Sequence, residues 1–242
     1  NNLTMLEYNS KSFATTATQV TDRTFLNRVF TWMALALSMT ALTAYYFSSS
    51  PSLLQMLYTQ QGMTTLGYIV MFAPIGFVLL LSAGIKRFNA QTMAILFAAY
   101  AVIMGMSLSF IFLMYTSASI YKTFGIAAGM FAIMAFTGYT TKTDLSRFGS
   151  LMMMGLIGII LASVINFFLR SAVMDYIVSI IGVLVFTGLT AYDVQKIKRI
   201  GQQINTDTSM GQKMALMGAL TLYLDFINLF LYLLRFLGDR RG

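Results

Sequence analysis

The 242-residue chain has no cysteine and no histidine. That excludes disulfides, Cys/His metal sites, thiol nucleophiles and any catalytic triad with an imidazole base. It says nothing about redox compartment, since a chain without thiols suits any. Charge is equally sparse: only 10% of residues are charged and eight are acidic. Soluble domains are nearer ~25% charged, so composition alone points to a membrane protein. Proline occurs twice, at Pro51 and Pro74. What fills the chain is apolar: 57% hydrophobic, with 19 Met and 20 Phe.

Net charge is +8. The basic residues sit in short connections between apolar runs, so membrane orientation accounts for them better than nucleic acid does. No DNA- or RNA-binding pattern is present. Residues 1–25 are polar and read as a disordered or surface-lying leader, without the short apolar run of a cleaved signal peptide. Residues 26–242 then read as one transmembrane domain.

Seven apolar segments make up that domain: Val29–Phe47, Leu66–Gly84, Thr92–Tyr115, Phe124–Tyr139, Leu151–Leu169, Tyr176–Tyr192 and Met214–Phe236. Most approach the ~20 residues that cross a bilayer as a helix, the only open-chain solution in lipid. The fourth and sixth are short and are expected to extend into their connections. Trp32, Tyr45, Tyr46, Tyr115, Tyr121, Tyr139 and Tyr176 fall near segment ends, as an interfacial belt would. Small residues four apart, Gly125–Gly129 and Gly105–Ser109, suit close helix packing. The predicted fold is all-α, with seven transmembrane helices.

Grouping the leader with the second, fourth and sixth connections puts eleven basic residues on one side and two in the opposite connections. By the positive-inside rule the N-terminus is cytoplasmic. Seven full spans place Arg235, Arg240 and Arg241 on the other side, whereas a re-entrant last segment would return them. The last segment has no Gly or Pro near its middle to turn on, which favours seven spans.

Six acids lie in tails or connections, where solvation suffices. Asp193 and Asp225 lie in or at the end of apolar segments. A charge in the bilayer costs about 2.5–3.5 kcal/mol on insertion scales and usually marks function. Gly218, Thr221, Asp225, Asn228, Tyr232 and Arg235 share one helical face, and Thr190 sits one turn from Asp193. A lone intramembrane Asp can simply fix packing, but two on consecutive helices point to a site. Carboxylates in contact in a low-dielectric setting cannot easily both ionise, so the pair would titrate as a unit and share a proton. Losing that proton leaves two negative charges that repel each other or attract a cation. Two Asp supply at most four of the ~6–8 oxygens Ca²⁺ prefers, which suits transient passage rather than storage. The two meet only if the sixth helix continues past Arg199 or the seventh starts inside the connection.

The segments Thr190-Ala191-Tyr192-Asp193-Val194-Gln195-Lys196-Ile197-Lys198 and Leu222-Tyr223-Leu224-Asp225-Phe226-Ile227-Asn228-Leu229-Phe230 resemble the two signatures of the Bax inhibitor-1, or transmembrane Bax inhibitor motif, family. The resemblance extends through Gly105–Ile120, Thr137–Gly158 and Asn166. It implies a multi-pass protein of a bacterial inner membrane whose C-terminal helix is wrapped by two three-helix layers. It further implies a pH-sensitive Ca²⁺ leak channel with Asp193 and Asp225 as sensor and transient metal site. Thr190, Thr221 and Asn228 are then candidates for lining the pathway. Lys86 or Arg87 would be a latch on the aspartates, though no local motif fixes the match and residues so placed are more often positive-inside anchors. No cofactor is expected, and the partners are lipid, protons and Ca²⁺ as cargo.

Two other readings use the same residues. Bacterial relatives suggest a modulator that binds a membrane quality-control protease. An intramembrane aspartyl protease also pairs two Asp on consecutive helices. Here, however, Asp225 follows Leu222-Tyr223-Leu224 with no Gly-x-Gly, and no proline follows Pro74. The chain therefore reads as no enzyme. Without an inverted repeat or broken helices, a proton-coupled transporter ranks below the channel.

Overall fold

The structure is a computed structural model. It describes the backbone of residues 2–59 and 61–241, with side chains from residue 23 onward. Most of the leader expected at 1–25 thus lies outside the residues whose side chains are described. The elements are α1 (Asn2–Ser49), α2 (Pro51–Leu57), a hairpin of β1 (Tyr58–Thr59) and β2 (Gly62–Met63), α3 (Thr65–Gly84), α4 (Ala90–Leu108), α5 (Ile111–Met114), α6 (Ser117–Thr140), α7 (Ser146–Leu169), α8 (Ala172–Gly201) and α9 (Ser209–Leu237).

Seven of these helices are long and apolar enough to cross a membrane: Arg23–Ser49 within α1, α3, Ala90–Met114 through α4 and α5, then α6 to α9. The chain is an all-α, multi-pass membrane protein. Local chemistry starts the spans. Thr64, Asn89, Thr116, Ser171 and Thr208 each accept the backbone N–H three residues on with the side-chain oxygen. This N-cap bond satisfies a donor the first turn leaves free. As expected, the fourth and sixth segments lengthen, to α6 and α8.

The helix α9 is the most buried span, with 67% of its most apolar window inside, against 6% for α7. It packs against α1, α4, α6 and α8, while α3 packs on α4 and α7 on α8. Aromatic pairs fill the α9 contacts. Tyr100 meets Tyr223 at 5.4 Å, and Phe124 and Phe131 meet Phe226 at 5.3 and 5.6 Å. The buried Thr40 hydroxyl donates to the Ala101 carbonyl at 2.9 Å and sits 2.7 Å from the Tyr223 hydroxyl, tying α1 to α4 and α9.

Glycines set the closest approaches, but not where spacing suggested. A Cβ at Gly125 or Gly129 would meet nothing within 4 Å. Both lie on the side of α6 away from its buried Ala127 and Phe131. Gly105 does pack closely, against the Thr40 carbonyl of α1. The tightest contact, unforeseen, is Gly138 of α6 against the Ala191 backbone of α8.

The connections sort into two ends. At one, Arg28 pairs with Asp207 and Arg199 with Asp144, both at 2.8 Å. Lys198 donates to the Tyr139 carbonyl, and the buried Lys213 to the Ile85 and Phe88 carbonyls. At the other end Arg235 pairs with Asp175 at 3.2 Å. There the last residues pair with the α5–α6 connection. Thr116 N–H donates to Asp239 O, Arg241 N–H to Met114 O, and Tyr115 bridges Arg240 in antiparallel fashion. The chain therefore leaves α9 at the end opposite the α8–α9 connection, as seven full spans require. Tyr115 is buried by this arm, packed against Gly238, so it departs from the expected belt. Tyr45, Tyr46, Tyr121 and Tyr176 are exposed.

Candidate functional site

The antiparallel α8–α9 pair builds the site. Moving along it, Asp175 faces Arg235, Gly182 and Phe186 face Tyr232, Asp193 faces Asp225, and Ile197 faces Gly218. The α9 positions are the polar stripe read from the sequence. Gly218, Asp225, Tyr232 and Arg235 of the stripe therefore look at α8, while the rest of α9 is largely buried, by α1, α4 and α6.

Asp193 and Asp225 are 7% and 5% exposed. Their carboxyl groups lie within side-chain hydrogen-bonding reach of one another. The depth condition is met from both sides: α8 runs two residues past Arg199 to Gly201, and α9 begins at Ser209. The basic run Lys196-Ile197-Lys198-Arg199 stays helical because Lys198 and Arg199 find partners on α6 and on the α6–α7 connection. Among the described residues no N–H or O–H donates to the buried Oδ2 of Asp225. A carboxylate only accepts, and a protonated carboxyl also donates. Two carboxyls in contact are therefore complementary when one holds a proton.

A cleft of about 240 Å³ at the basic end of the α8–α9 pair reaches Asp193. Asp193, Lys196, Thr221, Ile85 and Phe25 are among its walls. Lys196, which spacing did not single out, lines that cleft together with Asp193. Its signal was available: it lies one turn beyond Asp193 on the same helix. Lys86 and Arg87 are exposed in the α3–α4 turn, beside Ile85 at the cleft mouth. Neither side chain contacts the aspartates among the described interactions. Lys213 holds that turn instead.

Thr190 is fully buried, and its hydroxyl donates to the Phe186 carbonyl at 2.8 Å. The Thr221 hydroxyl donates to Met217 O at 3.1 Å, and the Asn228 amide to Leu224 O at 2.8 Å. Each thus donates to a carbonyl of its own helix and keeps acceptor oxygen to offer. Among the described residues no group of three or more Asp, Glu, His or Cys comes together.

The family profile described as "Inhibitor of apoptosis-promoting Bax1" matches residues 22–242, both aspartate helices included. The chain belongs to the Bax inhibitor-1 family. Among its relatives, the inner membrane protein YbhL of Escherichia coli is 48% identical over 220 residues, covering 90% of this chain and 93% of YbhL. RP147 of Rickettsia prowazekii is 44% identical over 240 residues, covering 98% and 100%. A Borreliella burgdorferi protein is 44% identical over 218 residues, covering 90% and 93%. Bax inhibitor-1 membership thus rests on nearly the whole chain, not on the two signatures alone.

Proposed function

We propose that this family member is a pH-sensitive calcium leak channel of a bacterial inner membrane, and not an enzyme. The observation that carries the reading is the buried contact between Asp193 and Asp225, with an Asp225 oxygen that no donor among the described residues meets. One proton between the carboxyls joins α8 to α9. Its loss leaves two negative charges that repel each other or draw in a cation. The acceptor oxygens of Thr221 and Asn228 on α9 and of Thr190 on α8 add ligands near the pair. Two carboxylates leave most of a Ca²⁺ shell to water and carbonyls, which favours passage over retention.

Orientation and architecture belong to the same proposal. The basic end, with the cleft to Asp193, faces the cytoplasm, which puts the N-terminus inside by the positive-inside rule. YbhL is named an inner membrane protein, which supports that location. The axis of the bundle is α9, wrapped by two layers of three helices, in keeping with its burial.

The test is Ca²⁺ flux into liposomes carrying the purified chain, measured across pH. Asp225→Asn and Asp193→Asn should each change the flux severalfold and flatten its pH profile. Flux and profile left untouched by both substitutions would falsify the proposal. A cleavage assay with a transmembrane substrate should show no product.

A further inference from the structure

At the end of the bundle away from the aspartates, a cleft of about 490 Å³ opens between the α7–α8 turn and the end of α9. Arg170, Arg235 and Arg240 line it, and Asp175 is the one carboxylate that does. A smaller hollow of about 230 Å³ continues inward past Asn166, Asp175 and Arg235 to Tyr232. Arg235 is paired with Asp175. Arg170 and Arg240 have no side-chain hydrogen bond or ion pair among the described residues. Three guanidinium groups stand against one carboxylate among the residues that line the cleft, with Asp239 next along the arm.

Arg170 is held in place by its backbone. It ends α7 at φ 51, in the left-handed region, the only non-glycine described residue with positive φ. Such positions favour Gly or Asn. Its N–H donates to Asn166 O at 2.7 Å, and the Asn166 side chain accepts the Ser171 N–H at 2.9 Å. The turn therefore keeps an arginine where conformation alone would prefer another residue. Depth adds a second argument. Phe167 and Phe168, on the last turn of α7, are 77% and 78% exposed. Those rings belong in the lipid, so the adjoining arginines sit at the membrane surface, where phosphate groups lie.

We propose that this cleft binds a phosphate group, gripped by Arg170 and Arg240 and joined by Arg235 as it exchanges Asp175 for the ligand. The guanidinium fork matches phosphate oxygens two at a time. A divalent cation is repelled by the same three groups, so this cleft is no mouth for Ca²⁺. The phosphate comes either from a phospholipid headgroup, with acyl chains lying along α7, or from solution. The site stands apart from the aspartate pair and does not depend on the channel reading.

The experiment uses the full chain in detergent. Native mass spectrometry measures binding of phosphatidylglycerol, and thermal melting follows a titration with inorganic phosphate. The double variant Arg170→Asn/Arg240→Gln removes both free guanidiniums, with Asn chosen because it accepts the left-handed turn. It should weaken binding at least about tenfold, the scale of lost charge-assisted hydrogen bonds. Lys122→Gln, an exposed charge on α6 outside the cleft, should leave binding unchanged. Arg240→Gln alone, on the terminal arm beyond the helices, repeats the test if the double variant does not fold. Binding of the lipid but not the free ion assigns a headgroup site; the reverse assigns a soluble phosphate; binding of both supports the cleft. No binding by the wild type overturns the proposal. So does equal binding by the arginine variants, or a loss on Lys122→Gln as large as theirs.

Discussion

The contact of Gly138 with Ala191 gives a sharp test, because one substitution on one helix should change sign with position. Replacing a helical Gly by Ala gains about 1 kcal/mol of backbone propensity. At Gly129 nothing lies within 4 Å of the new methyl, so Gly129→Ala should collect that gain. At Gly138 the methyl would overlap the Ala191 carbonyl and press its Cα at 2.9 Å. These are backbone atoms of a packed helix and cannot swing aside as a side-chain tip does. Overpacking of that kind costs about 1–3 kcal/mol, and a rigid neighbour belongs at the upper end. With about 3 lost and about 1 gained, Gly138→Ala should be destabilised by about 2 kcal/mol. The two variants then differ by about 3 kcal/mol, or roughly 6–12 °C in Tm for a chain of this size. Tyrosine and tryptophan fluorescence melts in one detergent would measure both. Equal melting temperatures, or a more stable Gly138→Ala, would show that α6 and α8 do not approach as closely as described. Ala191 lies two residues before Asp193, so under the proposed channel function the same variant should also disturb Ca²⁺ flux while Gly129→Ala does not.

Two further perturbations address the connections. The Ser146 hydroxyl and N–H, then the Arg199 guanidinium, hold the exposed Asp144 carboxyl down to about 2. Its contribution is present above the ordinary value near ~3.9 and is lost as pH falls through about 2, so the Tm difference between wild type and Asp144→Asn should be constant above about pH 5 and shrink between about 4 and 2. The Lys213 ammonium donates to the Ile85 and Phe88 carbonyls at 2.7 and 3.3 Å; Lys213→Met should cost about 1.5–3 kcal/mol and speed amide hydrogen exchange in the α3–α4 turn, and an unchanged exchange rate there would rule out its role as a brace.

The seven spans are legible because lipid demands long apolar runs, and the chain supplies them with few charges inside. Their ends are less so. Hydropathy stops at Tyr192, yet α8 continues to Gly201 because Lys198 and Arg199 reach partners some fifty residues away in the chain. That continuation is what lets Asp193 meet Asp225, so the site was readable as a pair of residues but only conditionally as a contact. Of the polar stripe of α9, Gly218 and Asp225 are buried, Thr221, Asn228 and Tyr232 are half-buried and Arg235 is exposed, so the stripe runs along the edge of the α8 contact, a position that emerges only from the antiparallel register. Glycine spacing misled at Gly125 and Gly129, since spacing does not say which side of a helix meets protein and which meets lipid. Lys213 and Gly138 matter through neighbours far away in sequence, and no local pattern announces them.

The short arm after α9 has a mechanical consequence. Residues 239–241 are stitched to the chain between α5 and α6 by backbone bonds, which anchors α9 at that end. The helix can neither slide along its axis nor turn about it without tearing the stitches. A movement that separates the aspartates while the stitches hold is therefore a swing about the anchored end. Asp225 lies about 18 Å along the helix from Leu237 at 1.5 Å per residue, so a swing of roughly 10° carries it about 3 Å sideways. A hinge at one face of the membrane would thus act as a lever on the contact between the two aspartates deeper within it.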